Sequence, residues 1–249
     1  TTEIYTLSLH DALPIFGKAI ASVADRPDFK WEFKVFESQE ANAYCLPGGK
    51  VAVYTGILKY MDNEAELAAV VGHEVGHAIA RHGGERMSQA MIQSAGQEVV
   101  SATVEGADDG WLVAYGLASN VGAILPYSRL HEYEADRLGM ILMAKAGYDP
   151  RATISFWKKF AKAGSEGGAI SEFLSTHPLS ENRLEEMKKW LPEAMRFYES
   201  APVKNGLGQA LKASDAPGKP QPSAAVSQGG QASGASSQSP SKKTRRTKQ

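Results

Sequence analysis

This chain of 249 residues has little that could crosslink it or carry it through a bilayer. It holds one cysteine, Cys45, so no intrachain disulfide can form. No signal peptide with a basic start and an apolar core is visible, and no initiator Met opens the chain. A processed form or a fragment is therefore expected. One run, 111–128, has eighteen residues without a charge, the lower bound for a membrane span. Ser119, Asn120 and Pro126 interrupt it, so a buried or interfacial helix is expected instead. Net charge is also small, at −1, but it is unevenly spread. Residues 201–249 carry eight Lys/Arg against Asp215 alone, a net +7, which leaves −8 on residues 1–200. An acidic body argues against nucleic acid as the main partner, and the basic end reads as a solvated tail, with contact to phosphates or anionic lipid as the alternative.

The chain does contain His73-Glu74-Val75-Gly76-His77, inside a run over 63–80 that reads as one helix. Asn63 with Glu66 three residues later is a capping-box-like start. Four residues apart on a helix, His73 and His77 share a face and can chelate one zinc ion. Glu74 falls beside such a metal, where it can take a proton from a water. The pattern H-E-x-x-H is a metalloprotease signature. Its neighbours Leu67, Val70, Val71 and Ile79 are apolar, so the helix is buried, and buried His and Glu cost free energy unless paired or ligated.

The third ligand is not supplied nearby. A longer H-E-x-x-H-x-x-G-x-x-H pattern needs Gly at 80 and His at 83, where the chain has Ala80 and Gly83. His82 reads as a helix-end residue facing free carbonyls, with His82-Gly83-Gly84 ending or kinking the helix. A second constellation lies at 128–139. Glu132 and Asp136 are four apart and share one helix face, so Glu132 can complete a zinc site while Asp136 holds a ligand histidine from behind. Glu134 is the substitute ligand, and His131 is expected in solvent. His177 before Pro178 reads either as an ordinary loop residue, the preferred reading of the residues alone, or as a donor to a developing oxyanion.

Around these motifs the pattern is α+β and mostly helical. Residues 17–25 read as a short helix stopped near Pro27. Residues 31–37, 42–46 and 50–55 read as strands, the last two split by Pro47-Gly48-Gly49. Further helices are expected over 85–104, from about 128 to 146, from 149 to 162, and from Ser180 to about Glu199. Residues 1–16 match nothing downstream and are expected to stand outside the fold, as a non-native or disordered extension. The domain is expected over 17–200. Residues 201–249, rich in Ala, Pro, Ser, Gly and Gln, are expected to form a disordered basic tail.

Four ordered elements resemble the zinc endopeptidases that include HtpX and the CAAX prenyl proteases. They are Asn42-Ala43-Tyr44 with Pro47-Gly48-Gly49, the 73–77 motif, Glu132-Tyr133-Glu134-Ala135-Asp136, and Thr176-His177-Pro178 with Arg183. The resemblance implies a gluzincin-like fold, its sheet packed beside the metal helix. It implies one zinc per chain on His73, His77 and Glu132, with Glu74 as general base and Asp136 and Arg183 supporting the site. His177 becomes a transition-state contact, and Asn42, Gly48 and Gly49 become substrate-binding residues. The expected substrate is polypeptide, and the expected place is a bacterial cell envelope, periplasmic or membrane-anchored; separately, the 87–128 region is a candidate for a lid or for peripheral membrane contact. Two alternatives remain: a proteolytically idle zinc-containing chaperone or assembly factor, and a zinc hydrolase acting on small esters.

Overall fold

The buried helix expected over 63–80 is α2 (Glu64–Ile79), and every residue from Glu64 to Ala78 is buried. Asn63 starts it, its Oδ1 accepting from the Glu66 N–H at 3.1 Å. The Glu66 carboxylate does not close the box on Asn63. It accepts from the Asp62 N–H and binds Lys159 and Ser155, which satisfies its burial.

The protein is described by a computed structural model covering residues 9–103, 119, 125–165 and 170–206. Before α2 come α1 (Leu9–Val23), β1 (Glu32–Phe36), β2 (Ala43–Leu46), β3 (Lys50–Tyr54) and a 3₁₀ turn at Thr55–Tyr60. After it come α3 (His82–Thr103), α4 (Leu125–Lys145), α5 (Arg151–Ser165), α6 (Ser171–Thr176) and α7 (Glu181–Ser200). The sheet order is β1-β3-β2, with β1 parallel and β2 antiparallel to β3. The β2–β3 hairpin turns on Gly48 and Gly49, both at positive φ (86° and 89°), where L side chains are strained. β2 is an edge strand and lies on the α2 side of the sheet. Most of the run at 111–128 lies outside the described residues, as does 213–249. No described helix is long and apolar enough to cross a membrane.

Three expectations are corrected. The chain from Leu9 to Phe16 is not outside the fold. Leu9, Leu13, Phe16 and Ile20 fall at spacings of three and four, on one face of α1, and all are buried in the core. The tail does not begin at 201 either: Asn205 donates from its backbone N to the Gly147 C=O at 2.8 Å and from Nδ2 to the Ala146 C=O at 2.7 Å. Finally, the glycines do not end the metal helix. The break falls at Arg81, at φ 63°, and Gly83 and Gly84 lie inside α3.

α4 crosses α2 at backbone contact. A Cβ on Gly139 would lie 2.7 Å from the His73 backbone N, and one on Gly72 would lie 2.8 Å from the Gly139 carbonyl O. Nothing flexible is there to yield. Gly139→Ala is expected to force the helices apart and to cost about 1–3 kcal/mol in chemical denaturation, with loss of metal uptake in the same variant.

Candidate active site

His73 and His77 leave one face of α2, and α4 delivers Glu132 to them. The two Nε2 atoms are 3.1 Å apart. Glu132 Oε1 is 3.3 Å from His77 Nε2, and Oε2 is 3.5 Å from His73 Nε2. All three side chains are buried, and Glu132 Oε1 makes no hydrogen bond. These separations, each histidine facing its own oxygen of Glu132, lie close to the edge of about 3.3–3.4 Å of a tetrahedron with bonds of about 2.0–2.1 Å. Two imidazole nitrogens and a carboxylate with one orphaned oxygen, so disposed, fit a metal ion, and the group also includes His177.

The candidate ligands are held from behind. Asp136 Oδ1 lies 2.9 Å from His73 Nδ1, off the ideal hydrogen-bond line. Arg183, brought by α7, donates to both Asp136 oxygens at 2.7 and 2.8 Å and to the Pro178 carbonyl at 3.0 Å. Its Nη1 also lies 3.0 Å from Glu132 Oε2. Trp157 floors the site, 4.8 Å from the guanidinium carbon and edge-on to His73 at 5.3 Å. Burial opposes charge on His73, but Asp136 and Glu132 outweigh it and push its pKa up to about 9. Burial also opposes charge on Glu132; His177, His73 and His77 outweigh it and hold that carboxyl well below its usual range. On His77 burial wins, and its pKa falls well below the ordinary value.

His177 follows α6 and spans from the ligand group to Glu74. Its Nδ1 is 3.3 Å from both His73 Nε2 and Glu132 Oε2, and its Nε2 is 3.4 Å from Glu74 Oε1. Burial pushes the Glu74 carboxyl up. A cleft of about 560 Å³ opens onto Glu74, His77 and His177 and runs along the β2 edge past Asn42, Tyr44 and Gly48. Gly49 does not line it. Gly49 packs on Trp31, and its C=O accepts from the Glu32 N–H in the sheet.

Peptidase family M48 matches residues 12–191. The chain belongs to peptidase family M48. It is 39% identical over 184 residues to the mitochondrial metalloendopeptidase OMA1 of Schizosaccharomyces pombe, covering 74% of this chain and 53% of that protein. Against OMA1 of Saccharomyces cerevisiae it is 39% identical over 185 residues, 69% of this chain and 50% of that one. Against the beta-barrel assembly-enhancing protease of Escherichia coli K12 it is 30% identical over 180 residues, 68% and 36%. The chain thus spans about half or less of these relatives.

Three side chains of this M48 domain sit where the sequence reading did not put them. His82 does not face helix-end carbonyls: it is buried, with Nδ1 2.9 Å from His77 Nδ1. Glu134, the substitute ligand, turns outward and meets His82 Nε2 at 3.2 Å. His131 is buried rather than solvated, stacked on His82 at 4.2 Å with Nε2 2.7 Å from Glu85. The five-residue step from His77 to His82 was the available signal, hidden because the helix break falls between them.

Arg183 is the only arginine or lysine within reach of the two buried carboxylates among the described contacts. Arg183→Ala strands Glu132 and Asp136 without a counter-charge, and a loss of about 3–5 kcal/mol is expected on denaturation. Arg183→Lys keeps the charge but not the two-pronged contact, so it should restore only part.

Proposed function

We propose that this M48 domain is a zinc-dependent endopeptidase acting on extended or misfolded polypeptide, with one zinc held by His73, His77 and Glu132. The observation that carries the reading is the buried, tetrahedrally spaced donor group with Glu74 beside it at the head of the cleft. Zinc, when bound there, supplies a Lewis acid for the scissile carbonyl and lowers the pKa of water. Glu74, held buried and raised, takes the proton from the attacking water and returns it to the leaving amine. His177, 3.4 Å from Glu74, is placed to donate to the developing oxyanion, an effect of about 3 kcal/mol. β2 is the edge strand beside the cleft, and a substrate strand added there would be gripped without regard to its sequence. Asn42 and Gly48 would flank it, with Gly49 fixing the turn. Asp136 and Arg183 hold the ligands. The domain runs from α1 to about Gly206. We place it in a bacterial cell envelope, in protein quality control; the E. coli relative's name, beta-barrel assembly-enhancing protease, supports this.

A second reading has its own observation. His177 Nδ1 stands within the donor group, and a fourth protein ligand would close the site and leave it idle.

Two variants of the full chain separate these. Glu74→Gln should keep zinc by metal analysis yet lose casein cleavage, and a chelator should abolish cleavage by the parent; full activity in Glu74→Gln ends the proposal. His177→Ala should lower kcat by about 10²–10³-fold if the ring serves the oxyanion. A rise in activity would instead assign it as the closing ligand.

A further inference from the structure

His73 and His77 differ in what stands at the nitrogen turned away from the metal position. A histidine that gives Nε2 to a metal keeps its proton on Nδ1 and needs an acceptor there. For His73 the neighbour is the Asp136 carboxylate at 2.9 Å. For His77 it is another imidazole, His82, Nδ1 to Nδ1 at 2.9 Å. Two ring nitrogens at that distance share a single proton. If His77 donates, His82 must accept at Nδ1 and carry its own proton on Nε2. That nitrogen lies 3.2 Å from Glu134 Oε2. The plane of His82 is fixed too, because His131 stacks on it with 19° between the rings and is tied to Glu85 of α3.

We propose that His82 is the positioning residue for His77: it accepts the His77 Nδ1 proton, and Glu134 accepts the proton on His82 Nε2. A residue at the protein surface thereby sets the tautomer of a buried metal ligand. The inference rests on the metal site proposed above. It also makes the two histidines unequal, since a neutral imidazole raises the basicity of its partner less than a carboxylate does.

The test measures zinc affinity of the full chain by competition with a chromophoric chelator, without reference to activity. His82→Ala should weaken zinc by about 10–100-fold. His82→Asn places an amide oxygen where Nδ1 stood, so it should restore most of that loss. Glu134 is 59% exposed in its side chain, so Glu134→Ala should leave folding intact and weaken zinc by about 2–10-fold, less than His82→Ala. Nitrogen-15 NMR of the zinc-loaded parent should show His82 protonated at Nε2. Zinc affinity of His82→Ala within about twofold of the parent would overturn the proposal, as would a His82 protonated at Nδ1. If His82→Ala does not fold, Glu134→Ala and the NMR tautomer decide alone. A parent chain that takes up no zinc would refute the metal site itself, a different failure from a parent that binds and variants that bind equally.

Discussion

The buried donor group exists because two helix backbones touch. Helices normally pack about 8–10 Å apart, held off by their side chains. Here Gly72 meets Gly139, and Gly76 meets the Ala135 backbone, with less room than one methyl group needs. The two contacts step in opposite directions along the chain, so α2 and α4 cross antiparallel. In that register Asp136 falls beside His73, and Glu132 reaches both histidines with short side chains. A wider crossing would leave the carboxylate hanging short of its partners. The buried donor group is therefore placed by residues that have no side chain at all.

That dependence decides what could be read in advance. The local half of the site was legible: the four-residue steps from His73 to His77 and from Glu132 to Asp136 are properties of a single helix turn. The antiparallel hairpin was legible for a similar reason, since Pro47-Gly48-Gly49 is a turn whatever surrounds it. What stayed hidden depends on contacts between distant segments. Nothing local to Ser175-Thr176-His177-Pro178 says that its ring will reach His73, Glu132 and Glu74. His82 and His131 look like surface histidines until α3 and α4 are laid together, when they become a buried stack. The misreading of residues 9–16 has another cause. Leu9, Leu13, Phe16 and Ile20 form an ordinary amphipathic stripe, although the segment shares no motif with the rest of the chain.

Around the ligand group the protein has assembled more negative charge than it can balance alone. Glu74, Glu132 and Asp136 are all buried within one cluster, and Arg183 is the buried cation set among them. Ionised, three carboxylates against one guanidinium leave two negative charges in a medium that tolerates none cheaply. A divalent cation at the donor group cancels that excess, and the arrangement is hard to understand without one. Protons compete for the same balance. Asp136 and Glu132 push His73 up to about 9, so its imidazole draws a proton into the place where a metal would otherwise supply the charge. Metal binding must then expel that proton, which couples occupancy to pH. The two supports divide the work accordingly. Asp136 and Arg183 tune charge at His73 and Glu132, while an imidazole, His82, faces His77 and adds no fourth carboxylate to a site that already carries two uncompensated negative charges.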